Sequence, residues 1–321
     1  MTVADRWVNA VARGVPPGIN TTRIGNVDRN GEPLAKMVAP CNLLFSVGAS
    51  VHNGLLVEFG TWCGASMRCY GAGLNTTGNK GRAHGFDYFA ASQLEKLKRT
   101  KWYAKSRKAV GNALPAHGSP PPRLVEDPNF SLLEPFYWQT QDVYPSVAAH
   151  QGSCRDGRFF ESSLPPGMHV DVFADDTAKS AQDLATDLAI AAPRLRVGSL
   201  LVLADFLYHI TVQDQEPRHN QIHWVFHSLV PEHLTLLGVA GTYAFFGVRR
   251  ALDAEWIRNA HAEWRSVGAR NQAACTAAYG RAQRALLGPP AGAERVGCVA
   301  ACVGLPVEGT LAATVRKLHK C

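Results

Sequence analysis

Val57-Glu-Phe-Gly-Thr-Trp-Cys-Gly-Ala-Ser66 gathers an acid, two glycines and a hydroxyl into one short stretch. Gly60 can take a positive φ, and Gly64 lets a backbone approach a ligand closely. The spacing is G-x-x-x-G, not the G-x-G-x-x-G that cradles a dinucleotide pyrophosphate. Trp62 stands where the second glycine of that pattern would be, and its bulk works against a phosphate on a helix N-terminus. Glu58 repels phosphate and attracts an ammonium group. Asp87 follows further along, at the end of a short apolar run. An acid at that point can accept from both hydroxyls of a ribose. The chemistry these residues suit is recognition of a nucleoside that carries an amino group and no phosphate. A tight structural turn followed by a turn-capping aspartate is the competing reading.

Other titratable residues offer further chemistry. Asp171 and Asp205 lie at the ends of two later apolar runs. His209 follows four residues after Asp205, and histidine is the usual base near neutral pH. His219, His223 and His227 recur every fourth residue and would share one helix face. Such a face suits either a transition metal or an amphipathic surface. Lys96, Lys98, Arg99, Lys101, Lys105, Arg107 and Lys108 form a basic run without an acid, interleaved with Trp102 and Tyr103. That run fits nucleic acid, an anionic acceptor or a solvated helix face.

The elements that must position these residues alternate. Residues 55–59, 83–87, 146–150, 168–173 and 199–204 read as strands, and residues 64–72, 92–109 and 176–192 as helices. Residues 106–145, irregular from 111 around a run of prolines, read as an insertion or loop. Residues 234–237 and 242–248 read as a closing hairpin, followed by a long helix over 252–287. Strands alternating with helices predict a Rossmann-like, doubly wound α/β fold. Its sheet is mostly parallel with a closing antiparallel hairpin. The expected division is an N-terminal helix and connection over 1–50, the α/β domain over 51–250 and a helical extension over 251–321.

The composition agrees with a packed domain. The chain has 321 residues, of which 46% are hydrophobic and only 18% charged. Disorder would need the opposite balance. The net charge of +7 permits an anionic partner without demanding one. Eight cysteines are scattered without C-x-x-C spacing and read as buried, reduced thiols. No secretory core or apolar run of membrane-spanning length is present. The expectation is a soluble, cytoplasmic protein with no membrane partner; the first 13 residues also fit an amphipathic transit segment, with a surface helix as the favoured reading.

Four segments carry a family resemblance. Val57 to Ser66 is similar to E-F-G-x-x-x-G-x-S. Gly85-Phe-Asp-Tyr-Phe89 resembles G-F-D-S-F, and Gly157-Arg-Phe-Phe-Glu-Ser-Ser-Leu-Pro165 resembles G-W-F-E-D-T-L-P with one extra residue. His169-Val-Asp171 and the run from Leu195 to Phe206 resemble the strands that follow. Together these resemble the class I S-adenosylmethionine-dependent methyltransferases, and most closely the macrocin O-methyltransferase group. The resemblance covers about residues 50 to 250.

It implies transfer of a methyl group from S-adenosylmethionine to a hydroxyl of a small-molecule acceptor, such as a sugar or natural product. It implies that Glu58, Gly60, Trp62, Gly64 and Ser66 line the cofactor and that Asp87 grips its ribose. The catalytic base would be Asp171 or His209. The group's pattern also implies magnesium, held by acids at the ends of the fourth and fifth strands. Here Asp171 and Asp205 match, but Phe173 and Ala204 replace the other two acids. Asp175 and Asp176 either substitute through a shifted register or serve the following helix. Two alternatives remain: a methyltransferase fold that binds without catalysis, and a methyltransferase acting on nucleic acid through residues 96–108.

Overall fold

In a computed structural model, residues 1–17, 41–62, 64–79, 82–89, 131–140, 142–143, 146–206, 221–240 and 242–266 are described. The expected helix 92–109, most of the insertion and the basic run lie outside these residues. Seven strands, β1 (Leu55–Phe59), β2 (Ala83–Asp87), β3 (Val147–Gln151), β4 (Val170–Asp175), β5 (Leu195–Leu203), β6 (Leu234–Ala240) and β7 (Tyr243–Val248), form one sheet in the order β3-β2-β1-β4-β5-β7-β6, the α/β architecture that the alternation predicts. The chain divides into two compact units, Met1 with residues 3–172 and Thr2 with residues 173–321.

In the first unit, α1 (Val3–Arg13) buries Val3, Ala4, Trp7 and Ala10. Every residue of β1 (Leu55–Phe59) is buried, as a strand covered on both faces requires. β2 (Ala83–Asp87) has the bounds that the sequence indicates. It pairs in parallel with β1, Phe59 opposite Phe86, and with β3 (Val147–Gln151), Asp87 opposite Gln151. The carboxyl ends of all three strands therefore lie side by side. Gly60 N–H donates to the Phe86 carbonyl at 2.9 Å, and Gly152 N–H to the Asp87 carbonyl at 3.0 Å.

Two helices pack close behind the β1 turn, α2 (Cys41–Ser50) and α3 (Ala65–Thr77). Gly48 lies against the Tyr70 backbone and Gly73 against the Phe45 carbonyl, with no room for a Cβ at either. Cys41 and Cys69 join these helices in a disulfide. This corrects the expectation of reduced thiols: the closely packed helices bring the two Cα atoms to 5.5 Å, within disulfide reach. Cys154 is free and buried, as expected. Further along are α4 (Leu133–Thr140) and α5 (Gly157–Ser163). The Asp156 carboxylate starts α5 by accepting from Arg158 and Phe159 N–H.

β4 runs over Val170–Asp175, two residues later than the sequence indicates. In the second unit, α6 covers Ala181–Ala191 and begins five residues later than expected. Thr177 and Ala178 N–H instead turn back onto the Asp175 carboxylate, and Ser180 caps the helix by accepting from Asp183 N–H. β5 (Leu195–Leu203) pairs antiparallel with β7 (Tyr243–Val248), which closes a hairpin with β6 (Leu234–Ala240). Before the hairpin, α7 (Gln221–Trp224) widens into a π-helical turn over Val225–Leu229. Residues 254–266 are helical, started by the Asp253 carboxylate, which accepts from Glu255 and Trp256 N–H. The rest of the expected 252–287 helix lies outside the described residues.

Candidate active site

The turn after β1 is built from left-handed backbone. Gly60 and Gly64 have φ of 83°, and Trp62 has φ of 43°. That region costs a bulky residue about 1–2 kcal/mol. One compensation is visible: Trp62 N–H donates to Asp87 Oδ2 at 2.9 Å. Asp87 Oδ1 accepts from Phe89 N–H at 3.2 Å. The acid at the end of β2 thus fastens the turn after β1. Gly85 leaves space for the Thr61 side chain, where a Cβ would collide.

Glu58 is only 3% exposed, although it carries a carboxylate in an apolar strand. Ser66 Oγ donates to its Oε2 at 2.7 Å, which ties β1 to the first turn of α3. Gly64 caps α3 without any side-chain hydrogen bond. The first N–H groups of a helix need partners, and they favour negative charge. The buried Thr61 Oγ1 and Trp62 Nε1 have no hydrogen-bond partner among the described residues. Glu58, Gly60, Trp62, Gly64, Ser66 and Asp87 are therefore brought together at the carboxyl ends of β1 and β2. There they offer a buried acid, an uncapped helix end and two unsatisfied polar atoms.

Asp171 is elsewhere. It is the second residue of β4, at the amino end of the strand, and is fully buried. Its Oδ2 accepts from His52 N–H at 3.1 Å and from Gly54 N–H at 3.0 Å, and Arg6 lies at 3.9 Å. A Cβ at Gly54 would sit 2.5 Å from Asp171 Oδ1. The carboxylate fastens the loop before β1 and faces away from the ligand end of the sheet. This corrects its reading as a base and as a metal ligand. The sequence misplaced it because β4 is shifted by two residues.

At the other end of β4 stands Asp175. Ala204 N–H donates to its carbonyl at 2.9 Å, so the carboxyl ends of β4 and β5 meet here. Burial first, and then the nearby Asp187 carboxylate, push Asp175 up to about 7. Thr177 Oγ lies 2.9 Å from Asp175 Oδ1 and 2.8 Å from Asp187 Oδ2.

Asp205 follows β5 with φ of 50°. Lys179 Nζ lies 2.6 Å from its Oδ2, 3.2 Å from Asp176 Oδ1 and 3.0 Å from the Asp176 carbonyl. Burial lowers the Lys179 pKa, but the two carboxylates outweigh it and hold the ammonium above its ordinary range. Sequence reasoning missed Lys179 because its partner Asp205 is 26 residues away. Among the described residues no group of three His, Cys, Asp or Glu is placed to hold a metal. The oxygens that could hold magnesium at this end of the sheet surround an ammonium instead. His209 and His219, with the side chains of His223 and His227, lie outside the described residues.

Both the β1 turn and the acid that ends β2 lie in a stretch that a known family matches. Residues 57–206 match the family described as a methyltransferase domain. That stretch of the chain is similar to methyltransferase domains. This bears out the resemblance to the class I S-adenosylmethionine-dependent enzymes. No curated protein matches the chain. Among solved structures, it is similar to the MycE methyltransferase of the mycinamycin biosynthetic pathway, with Mg and SAH. The identity there is 15% over 62% of this chain and 46% of that one, with a TM-score of 0.34. It is similar to the O-methyltransferase NovP at 14% identity, over 77% of this chain and 98% of that one, TM-score 0.44. For an O-methyltransferase from Bacillus cereus in complex with SAH the figures are 12%, 77%, 90% and 0.41. The chain thus spans less than half of the mycinamycin-pathway enzyme. Within the methyltransferase domain, both the Glu58–Asp87 cluster and the Lys179–Asp205 cluster fall inside the matched residues. No helix among the described residues is long and apolar enough to cross a membrane.

Proposed function

We propose that the methyltransferase domain moves a methyl group from S-adenosylmethionine to a hydroxyl of a small-molecule acceptor. The observation that carries this reading is the β1 turn: a buried acid, an uncapped helix end and a ribose-type acid meet beside Trp62, whose bulk, with the Glu58 charge, works against a pyrophosphate. The bound cofactor supplies an electrophilic methyl carbon on a sulfonium. Glu58 suits the amino group of its methionine part, and the N-terminus of α3 suits the carboxylate. Asp87 suits the ribose hydroxyls, since a carboxylate can accept more bonds than the two from Trp62 and Phe89.

In the reaction the acceptor oxygen forms a bond to the methyl carbon as the carbon–sulfur bond breaks. The products are the methyl ether, S-adenosylhomocysteine and the hydroxyl proton. In-line displacement of this kind depends mainly on proximity and alignment. The proton needs a base. With Asp171 at the far end of its strand, His209 is the base we assign, on its place four residues after Asp205.

Asp87→Asn tests the ribose role. The amide oxygen can still accept from Trp62 N–H, so the turn is preserved, but the charged acceptor is lost. Hydrogen bonds to charged groups contribute about 1.5–3 kcal/mol, so binding of S-adenosylmethionine should weaken by about 10- to 150-fold. Unchanged affinity by calorimetry would remove Asp87 from the site.

A further inference from the structure

Lys179 stands in the turn between β4 and α6, on a segment whose acids also read as helix-dipole partners. Its position is set by three oxygens, the Asp205 and Asp176 carboxylates and the Asp176 carbonyl, at 2.6, 3.2 and 3.0 Å. An ammonium has three N–H donors and no acceptor, so all three are engaged. The oxygens come from the ends of two adjoining strands, with Ala204 N–H bonded to the Asp175 carbonyl holding those ends together. Two carboxylates and a carbonyl are the hard oxygen ligands that suit a hard cation. The cation at their centre is a side chain of the same polypeptide.

Magnesium would need these oxygens at about 2.0–2.1 Å around its own centre. The Lys179 Nζ occupies that centre. We infer that Lys179 is a built-in replacement for the divalent ion: its ammonium holds the Asp176 and Asp205 carboxylates, and the protein takes up no metal there. In open α/β sheets ligands sit outside the carboxyl ends of the strands, so Lys179 also supplies a fixed positive charge at the ligand end of β4 and β5. It is a positioning residue, acting through Asp205, whose left-handed backbone it helps to fasten. This deepens the methyl-transfer reading, and the use made of the charge rests on that reading.

The test needs neither cofactor nor acceptor, so failure of the methyl-transfer reading would leave its outcome untouched. Binding of Mn²⁺ to the full chain is followed by electron paramagnetic resonance of the free ion. The natural protein is expected to bind no stoichiometric Mn²⁺ at millimolar concentration. Lys179→Met, which keeps the length of the stem and removes the charge, is expected to bind one ion per chain. Asp205→Asn in the Lys179→Met background should abolish that binding. Lys179→Gln provides the same readout if the methionine variant does not fold. Stoichiometric Mn²⁺ binding by the natural protein, lost in Asp205→Asn, would overturn the inference. So would a folded Lys179 variant that binds no ion.

Discussion

Asp87 and Asp171 show how much one carboxylate differs from another at the residue scale. Asp87 ends β2 and is 7% exposed, fastening the turn where a ligand would lie. Asp171 begins β4 and is fully buried, fastening a loop at the opposite end. Both follow apolar runs and are alike in sequence; only the strand bounds separate them. Asp171→Ala should therefore act on stability. It leaves the N–H groups of His52 and Gly54 without their acceptor, at about 1–3 kcal/mol for each buried unsatisfied group. Denaturant unfolding should show a loss of about 2–6 kcal/mol, with cofactor affinity unchanged in the folded protein. A variant as stable as the natural chain but unable to turn over would restore Asp171 as a base. Glu58, Gly60, Gly64 and Asp87 were legible because a turn and a strand end impose residue types locally. Lys179 was not, because an ion pair across 26 residues leaves no local pattern.

At the scale of elements, periodicity placed the strands and local polar contacts moved their ends. β2 has the bounds expected, whereas β4 extends to Asp175 and α6 waits for Ser180. Both shifts come from the Asp175 carboxylate collecting the N–H groups of Thr177 and Ala178, which hydropathy does not report. The disulfide between α2 and α3 was also invisible, since spacing alone cannot pair cysteines. Its loop spans 28 residues. Chain entropy alone puts its contribution at about 3.5 kcal/mol. Unfolding with and without reductant should differ by about that amount, and equal stability would show that the bridge does not form.

The β2–β3 pair also carries a pH dependence. His84 Nδ1 lies 2.8 Å from His150 Nε2, and the rings stack. Burial lowers the His150 pKa below its ordinary 6.5. The unfolded chain then binds the proton more readily than the folded one, so stability is full above about pH 6.5 and is lost as pH falls toward the folded value. His150→Gln should flatten this acid-side loss in a pH series of thermal midpoints. An unchanged slope would assign the loss to other groups.

At the scale of the whole molecule, the net charge of +7 is local. Residues 96–108 hold seven basic and no acidic residues, and the remainder balances at 26 of each sign. The residues proposed to hold the cofactor lie instead in the balanced part, within residues 57–206 that match the methyltransferase-domain family, and His209 follows just after it. The mostly parallel sheet with its closing hairpin and the β1 turn were readable because alternation and glycine spacing are sequence properties. The acceptor was not, since no residue pattern in the sequence singles out one acceptor chemistry. The central claim is that the β1 turn binds a phosphate-free nucleoside cation. Calorimetry of the natural protein in chelator tests it most directly, with S-adenosylmethionine and NAD titrated in parallel. Saturable one-to-one binding of S-adenosylmethionine and none of NAD is the result expected. Binding of NAD without binding of S-adenosylmethionine would contradict it.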